Sequence, residues 1–326
     1  MLDTKDKQIL YLLSRDARMP SPQIAKHVHL SKDAVLYRIR QLEQQNVIQK
    51  YTTVVDLKKL GYRTHIIFLE FNQFDLQIEH RILSFLVAFP YTIWVTTSSG
   101  KWDVFIDIVS KTAEQFDEIL TTLLNNIGSL LHSYEILDTI KEYQYDHKYL
   151  EQKMVSQKKT KEITYIPDKM DFQLLLSLSQ HARSSSTELA SMLKISHDTV
   201  SYRLKKLLQS SYIHQFSILI DFDKIPISCY NCFFQFTQLN KVKENKIIHF
   251  FQSRKEVLYF AKTAGKYNFN ADLIVSNASE LKSFMVALRH QFGDLLSSRE
   301  TFLMFGQHKN DYFPEGVFND LVVKPS

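Results

Sequence analysis

Two short stretches of the chain, residues 30–42 (LSKDAVLYRIRQL) and 195–207 (ISHDTVSYRLKKL), place apolar residues at helical spacing. The apolar positions of the two stretches are Val35, Ile39, Leu42, Val200, Leu204 and Leu207. Residues three and four apart lie on one face of a helix. Each stretch therefore predicts an amphipathic helix with one face against a core.

Both helices have a marked start. Ser31 and Ser196 stand at the N-cap position, where a hydroxyl oxygen accepts hydrogen bonds from the free amides of the first turn. Asp33 and Asp198 follow in the first turn, where the helix dipole stabilises a negative charge. We expect the helices to begin at these two serines.

The face opposite the apolar stripe is basic and rich in hydrogen-bonding groups. Its residues are Lys32, Tyr37, Arg38, Arg40, Gln41, His197, Ser201, Tyr202, Arg203, Lys205 and Lys206. Such side chains bind base edges and phosphates, so the face suits the major groove of DNA. The alternative interpretation is an ordinary solvated helix face.

Two further helices precede the first of these stretches. Residues 4–14 have a helical apolar pattern, and residues 21–28 form a short helix with Pro22 at its first position, where a missing amide costs nothing. Three helices with a tight turn between the second and third predict a helix-turn-helix.

From residue 64 the pattern becomes strand-like and then alternates. It predicts strand 64–71, helix 76–88, strands 91–98 and 102–109, helix 112–126 and strand 130–137. This βαββαβ order is that of a ferredoxin-like domain, an antiparallel sheet with two helices on one face. The other face has apolar positions but no helix, so we expect a second sheet to cover it.

A shift of 165 residues lays the second half of the chain on the first without a gap. Identical residues at matching positions include Asp6 and Asp171, Tyr37 and Tyr202, Asp56 and Asp221, Gly100 and Gly265, and Asp107 and Asp272. So long a period indicates two whole copies in tandem rather than a stacked array. The expected fold class is α+β, with two winged-helix-like helix-turn-helix domains alternating with two ferredoxin-like domains.

The duplication and the changes in composition between segments predict the domain boundaries. Helix-turn-helix domains are expected at 1–61 and 168–225, ferredoxin-like domains at 62–150 and 226–316, a lysine-rich linker at 151–167 and a loose tail at 317–326.

Charge is unevenly distributed among the predicted domains. Residues 1–61 contain 11 lysines and arginines against 6 aspartates and glutamates, whereas residues 62–150 contain 6 against 12. The corresponding counts are 7 against 6 for residues 168–225 and 12 against 9 for residues 226–316 with the tail. A basic helical unit beside an acidic platform is compatible with DNA binding, although charge alone is weak evidence.

Other classes of protein find little support in the sequence. No apolar run approaches the roughly 20 residues of a membrane span, and the N-terminus enters a helical pattern without a signal-peptide architecture. A cytoplasmic protein is therefore expected. Among 7 glycines no phosphate-binding loop occurs, and no metal cluster or nucleophile constellation is found. We expect no cofactor, no metal and no catalytic residue.

The two cysteines, Cys229 and Cys232, have the C-x-x-C spacing of some metal and redox sites. They lie in a strand-like run, where residues three apart point to opposite faces, and no second pair completes a zinc site. We interpret them as buried structural thiols.

Several motifs occur in one order and spacing. They are D-x-x-I-L-x-x-L at 6–13, A-R at 17–18, I-A-K at 24–26, L-S-x-x-x-V-x-x-R-I-x-x-L at 30–42, V-I at 47–48 and G-x-W-D at 100–103. In this respect the chain resembles the Lrp/AsnC (feast/famine) family of prokaryotic transcription regulators. The resemblance covers nearly the whole chain, twice. The H-K-Y-L sequence at 147–150 and the tandem layout look like a subgroup found in archaeal lineages.

The resemblance implies a DNA-binding domain joined to an amino-acid-sensing (RAM) domain, whose sheets pair back to back in dimers that often assemble further. It also implies that effectors, where present, bind near the turn between the second and third strands of that domain. The matching positions are Gly100, Trp102, Asp103, Gly265, Tyr267 and Asn268. Asn268 departs from the family's aspartate, so the two halves need not be equivalent. The alternative is that the glycines only shape turns and Trp102 packs in a core.

The leading hypothesis is a sequence-specific transcription regulator in which one chain supplies both halves of a dimer, as an intramolecular pseudo-dimer. The expected DNA-binding residues are Ser31, Lys32, Tyr37, Arg38, Arg40, Gln41, Ser196, His197, Tyr202, Arg203, Lys205 and Lys206. Lys32 and Arg40 are expected to contact base edges or phosphates. Arg38 and Arg203 match the family's arginine, and the resemblance implies that they hold the DNA backbone or brace the domain. The expected partners are double-stranded DNA, an amino-acid-like effector and further copies of the chain through the ferredoxin-like domains, with no membrane.

Two alternatives belong to other functional classes. An architectural protein would bind DNA with little sequence preference. Siroheme decarboxylases share the two-part layout, but such an enzyme is expected to need a porphyrin-sized pocket with convergent histidines and arginines. The loops at Gly100 and Gly265 offer no histidine, and His132, His249 and His290 are scattered. We therefore expect a protein that is not an enzyme.

Overall fold

A computed structural model of the chain describes residues 2–144, 147–150 and 163–322. The elements of the first half are α1 (Thr4–Arg15), α2 (Ser21–Val28), α3 (Lys32–Gln44), β1 (Ile48–Val55), β2 (Arg63–Phe71), α4 (Leu76–Ala88), β3 (Thr92–Ser98), β4 (Val104–Ser110), α5 (Ala113–Ile127) and β5 (Leu131–Gln144). Those of the second half are α6 (Lys169–Gln180), α7 (Ser186–Leu193), α8 (His197–Gln209), β6 (Ile213–Ile220), β7 (Ser228–Phe236), α9 (Lys241–Ser253), β8 (Val257–Ala264), β9 (Phe269–Val275), α10 (Ala278–Phe292), β10 (Leu296–Asn310) and α11 (Glu315–Val322).

The two halves repeat each other element by element. Helices α1 to α5 begin 165 residues before α6 to α10, the shift that the sequence displays. The predicted fold class is confirmed, since each half contains a helix-turn-helix domain with a wing strand followed by βαββαβ.

The two ferredoxin-like domains join edge to edge in a closed barrel with the strand order β10-β3-β4-β2-β5-β8-β9-β7. Strand β5 pairs with β2 of its own half up to Asp138, then continues along β8 of the other half. Strand β10 likewise pairs first with β7 and then with β3. Closure leaves none of these eight strands with an unpaired edge.

This barrel corrects the expectation that two sheets simply pack face to face. The helix-free faces of the two sheets do face each other, because both line the inside of the barrel. In addition, the edge strands of the two sheets are hydrogen-bonded to each other. The last strand of the first half is predicted at 130–137, whereas β5 runs to Gln144 because its second part pairs with β8. The apolar pattern of one half contains no information about that partner.

The helices of the ferredoxin-like domains cover the outside of the barrel. Helices α4 and α5 form a core with β2 and β4, and α9 and α10 form a second one with β7 and β9. The residues that fill one end of the barrel interior include Phe68, Trp102, Phe105, Phe233, Tyr267 and Phe302. The barrel thus has two outer cores and one aromatic plug.

The wings of the two helix-turn-helix domains form an antiparallel two-stranded sheet, β1 with β6. Helix α1 packs on β6 and α6 on β1, so each domain contacts the wing of the other. Ser217 Oγ donates a hydrogen bond to the Ser14 carbonyl (2.7 Å), and Thr53 Oγ1 donates one to the Leu178 carbonyl (2.8 Å). Both domains share a single apolar core, which fixes the position of one relative to the other.

The predicted loose tail at 317–326 is wrong over the part of it that is described. Helix α11 extends to Val322, with Val317 fully buried. The Asp320 carboxylate accepts hydrogen bonds from the Tyr62 hydroxyl (2.9 Å), the Tyr91 hydroxyl (2.9 Å) and the Gln115 side-chain amide (2.7 Å). Residues 323–326, and residues 151–162 of the predicted linker, lie outside the described residues.

The interpretation of the cysteines is confirmed. Both are buried and free: Cys229 lines an internal cavity, while Cys232 packs in the core under α9 and α10. Burial raises the pKa of each thiol well above its usual value. Within the described residues, no helix combines the length and the apolar character needed to cross a membrane.

Replacing Asp320 with alanine tests the attachment of α11. Three donors would lose their acceptor, so we expect Asp320→Ala to lower the free energy of unfolding by about 2 kcal/mol. Urea denaturation measures the change, with Asn319→Ala on the exposed side of the same helix as the control. Equal stability of the two variants would contradict a structural role for this carboxylate.

Candidate nucleic-acid interface and internal cavity

Helices α3 and α8 begin as the sequence predicts. The Ser31 hydroxyl accepts a hydrogen bond from the Ala34 amide (3.1 Å), and the Ser196 hydroxyl accepts one from the Thr199 amide (3.1 Å). The tight turn before each helix passes through a residue with left-handed backbone, His29 in the first copy and Lys194 in the second, both with φ of 54°.

The apolar sides of the two helices are buried, and the opposite sides face outward. Tyr37 is 65% exposed and Tyr202 59%, whereas Val35 and Val200 are fully buried. The predicted interface residues that are exposed, besides the two tyrosines, are Ser31, Lys32, Arg40, Ser196, His197 and Lys205. Both faces are therefore open to a macromolecular partner.

Gln41 and Lys206 occupy matching positions at the edge of these faces and are half-buried. The Gln41 side-chain amide donates to Gln44 Oε1 (3.3 Å). The Lys206 ammonium lies 5.4 Å from the centre of the Tyr202 ring, within the range of a cation–π contact.

Arg38 and Arg203 contact acidic residues at the start of the first helix of their domains. Arg38 Nη1 lies 2.7 Å from carboxylate oxygens of both Asp3 and Asp6. Arg203 Nη1 hydrogen-bonds Asp168 (2.8 Å) and lies 3.0 Å from Asp171 Oδ1, as an ionic contact rather than an aligned hydrogen bond. These contacts brace each domain from within.

The candidate effector positions form the two hairpin turns that close the aromatic end of the barrel. The side chains of Trp102 and Tyr267 are 3% and 1% exposed and belong to the aromatic plug. Gly100 and Gly265 have positive φ, and a Cβ on Gly265 would approach Leu137 Cδ2 of the other half to 2.7 Å. Both positions therefore favour glycine, because other residues rarely adopt a positive φ.

Asp103 and Asn268 make equivalent structural hydrogen bonds at these turns. The Asp103 carboxylate accepts from the Phe71 amide (2.8 Å), and Asn268 Oδ1 accepts from the Phe236 amide (2.9 Å). Burial raises the pKa of the Asp103 carboxyl. The asparagine thus preserves the hydrogen bond that the aspartate makes, and the turns are structurally alike.

A cavity of about 490 Å³ lies between the wing sheet and the open end of the barrel. Its walls come from both wings and from both halves of the barrel, and they include Asp107 on β4 and Asp272 on β9. None of the candidate DNA-binding or effector residues lines it.

Asp107 and Asp272 occupy matching positions in the two halves and line the same cavity, and we call these two residues with their strand neighbours the belt. Asp107 lies opposite Trp94 on one neighbouring strand and Ile66 on the other. At the matching positions of the second half, Asp272 lies opposite Tyr259 and Asn231. The duplication therefore puts one carboxylate and one aromatic ring into each half of the belt.

The electrostatics of this belt are unusual for a barrel interior. Burial raises the pKa of the Asp107 carboxyl well above its usual value, and the negative charges of Asp272 and Glu142 raise it further. Burial raises the pKa of Asp272 to about 7. Asp272 Oδ1 accepts a hydrogen bond from the Asn231 amide (2.9 Å), whereas Asp107 Oδ1 has no hydrogen-bond partner among the described residues.

Sequence reasoning missed this pair of carboxylates. The signal was present, since one aspartate interrupts an apolar strand run, FIDIV in the first half and ADLIV in the second, at positions 165 apart. We interpreted that strand face as apolar, because the pattern by itself does not reveal that a cavity lies beneath it.

Both helix-turn-helix domains match known protein families. Residues 2–43 match the AsnC-type helix-turn-helix domain, and residues 167–214 match a winged helix-turn-helix DNA-binding domain. The chain is 33% identical over 128 residues to the transcriptional regulator AzlB of Bacillus subtilis, which covers 39% of this chain and 82% of AzlB. It is 30% identical over 146 residues to the regulator FL11 of Pyrococcus horikoshii, covering 43% of this chain and 93% of FL11.

The chain belongs to the Lrp/AsnC family of transcription regulators, as the resemblance predicts. These relatives match less than half of it, because it contains the family's two-domain unit twice.

Two solved structures match the chain over nearly its whole length. The siroheme decarboxylase NirDL has a TM-score of 0.62 at 14% identity and covers 98% of both chains, and its co-complex with an iron-uroporphyrin III analogue has a TM-score of 0.61. At this identity the likeness concerns the fold alone. It nevertheless overturns our expectation that the chain is not an enzyme, because the complete tandem fold is found in an enzyme.

Replacing the two bracing arginines should have unequal effects on stability. Asp171 is fully buried, so Arg203→Ala leaves a buried carboxylate without its cation, at a cost of about 3 kcal/mol in the free energy of unfolding. Asp3 and Asp6 are partly exposed, so the cost of Arg38→Ala should be about 1 kcal/mol. Chemical denaturation of both variants measures the difference, and an equal loss would contradict the role of burial.

Proposed function

We propose that the protein is a sequence-specific DNA-binding transcription regulator of Lrp/AsnC type whose two halves act as an intramolecular pseudo-dimer. The observation that carries the proposal is that two exposed basic helices, α3 and α8, project from one shared core. A dimeric helix-turn-helix protein needs two recognition helices at a fixed separation. Here the paired wings supply that separation within one chain.

Lys32 and Arg40 are the proposed DNA contacts of the first helix. Both are exposed, and no ion pair of either is found in the part of the chain that the structure describes. Arginine is the usual bidentate partner of guanine, and lysine reaches phosphates and guanine alike. Arg38 and Arg203, which are committed to carboxylates, act by holding the recognition helices in place.

The two recognition helices carry different side chains at matching positions. Arg40 corresponds to Lys205, Lys32 to His197 and Gln41 to Lys206, whereas Tyr37 and Tyr202 are the same. A symmetric dimer reads two identical half-sites, but these helices present different donors to the groove. The proposed operator therefore consists of two half-sites of different sequence.

Three further properties remain predictions. The first is an amino-acid-like effector that binds at the hairpin turns. The others are assembly of several copies through the ferredoxin-like domains and a location in the cytoplasm with the DNA. The buried side chains of Trp102 and Tyr267 give the first of these no open pocket at the turns themselves.

The described lining of the cavity is mainly acidic, a difference in charge that matters for comparison with the decarboxylase NirDL. A decarboxylase acts on carboxylate groups, which need cationic partners. The described cavity lining contains one lysine, Lys58, at 3.3 Å from Glu142, and two histidines, His147 and His214, alongside Asp107 and Asp272. The acidic groups of this lining favour a cationic ligand over one that carries carboxylates.

Electrophoretic mobility shift with an operator selected from genomic DNA tests the proposed contacts. Lys32→Ala and Arg40→Ala should each weaken binding about tenfold, the loss expected for a good groove contact. Lys246→Ala, an exposed lysine on α9, is the matched control and should leave binding unchanged. Unchanged affinity in both test variants would remove these residues from the interface.

The fixed separation of the recognition helices is tested by changing the operator. Inserting about 5 base pairs between the half-sites turns one of them to the opposite side of the duplex. We expect affinity to fall to that of a single half-site and discrimination against random DNA to be lost. An architectural DNA-binding protein would instead tolerate the insertion, with little sequence preference at every salt concentration.

A further inference from the structure

The two carboxylates of the cavity come from opposite walls of the barrel. Strands β4 and β9 are four places apart in the ring of eight strands, so Asp107 and Asp272 lie on facing sides. The negative charge of Asp272 contributes to the raised pKa of the Asp107 carboxyl. An arrangement of this kind separates two negative groups across an enclosed space.

Most other ionisable groups of the described lining are already engaged. The Asp56 and Asp221 carboxylates cap the short helical turns after the wings, and the Asp311 carboxylate accepts from the Phe313 amide. Lys58 is paired with Glu142. Among the described lining residues, the one lysine is therefore engaged by Glu142, and the remaining basic side chains are the imidazoles of His147 and His214.

Other unpartnered acceptors and two aromatic rings accompany the carboxylates. The side-chain carbonyl oxygens of Asn231 and Asn270 line the cavity and have no hydrogen-bond partner within the described residues. Trp94 and Tyr259 stand beside the two aspartates on neighbouring strands. Carboxylates, amide oxygens and ring faces all attract ammonium groups.

From this chemistry we propose that the cavity binds a small linear diamine or polyamine, with one ammonium group paired to Asp107 and another to Asp272. A volume of about 490 Å³ lies within the usual range for small-molecule sites. A buried carboxylate is costly without a partner, and a bound ammonium supplies both charge and donors. A ligand with its own carboxylate meets repulsion in the same place.

Isothermal titration calorimetry of the full chain without DNA tests the proposal, using cadaverine as the probe. Its neutral counterpart 1,5-pentanediol has the same length without charge, and lysine is cadaverine with an added carboxylate. We expect saturable binding of cadaverine and at least tenfold weaker binding of both comparison compounds. Absence of cadaverine binding at millimolar concentration, or equal binding of the diol, overturns the proposal.

Variants of the two aspartates locate the site. Asp107→Asn and Asp272→Asn should each weaken cadaverine binding at least tenfold, while Asp117→Asn, on the exposed side of α5, leaves it unchanged. Both test variants replace a carboxyl group whose ionisation is disfavoured by burial with a neutral amide of similar shape, so both should fold about as stably as the parent chain. Full affinity in both variants overturns the assignment of the ligand to this cavity.

The effect of pH gives a further readout. The pKa of Asp272 is about 7, so cadaverine should bind more tightly as pH rises from 6 to 8 and this group ionises. The other ionisable groups of the cavity near it include Asp107, His214 and the Lys58–Glu142 pair. Tyr259 and Cys229 stay neutral because burial raises their pKa values well above the usual ones. His147 stays neutral because burial lowers its pKa to about 4. A flat pH profile in the parent chain contradicts a role for the Asp272 carboxylate.

The raised pKa of Asp272 also affects stability. Between about pH 4 and 7 the folded chain holds a proton that the unfolded chain releases, so the unliganded protein should lose stability as pH rises through this range. Asp272→Asn should reduce that loss, while Asp107, whose pKa is also raised, keeps its own contribution. These measurements are independent of DNA, so failure of the ligand proposal and failure of the DNA-binding proposal are distinguishable.

Discussion

Backbone hydrogen bonds between the two halves of the chain are the interaction on which the rest of the structure depends. Among the described residues, three strand pairs join the halves in this way: β1 with β6, β5 with β8 and β10 with β3. The first joins the helix-turn-helix domains, and the other two close the barrel. Because each pairing uses a strand from either half, neither half would satisfy its strand edges alone. The consequence is a single body with two recognition helices at one end.

Closing the barrel also creates its polar interior. Along β4, alternate side chains pass from the aromatic plug at Phe105, through the cavity at Asp107, to the core of the helix-turn-helix domains at Val109. The strand thus connects three environments within five residues. Burial raises the cost of ionising both carboxyls, and the charge of Asp272 raises that of Asp107 further, a feature that a core needing only stability would avoid.

The tandem layout relates this chain to two kinds of protein. The regulators AzlB and FL11 match one half of it in sequence, and the enzyme NirDL matches it in fold over nearly the whole length. The exposed basic helices are a feature of the first relation, and the shared tandem fold with its internal cavity is a feature of the second. A shared architecture can thus carry different sites, because function depends on the side chains placed on it.

The sequence by itself determined the duplication, the helix-turn-helix with its serine caps at Ser31 and Ser196, and the βαββαβ order, because these follow from local periodicity and capping. It also identified the family and the exposed basic faces. Only the tertiary structure decided that β5 extends to Gln144, that residues 315–322 form a helix held by Asp320, and that Asp107 and Asp272 share a cavity. These features depend on contacts between residues far apart in the chain, and a periodic pattern contains no information about which distant strand, helix or carboxylate will be its neighbour.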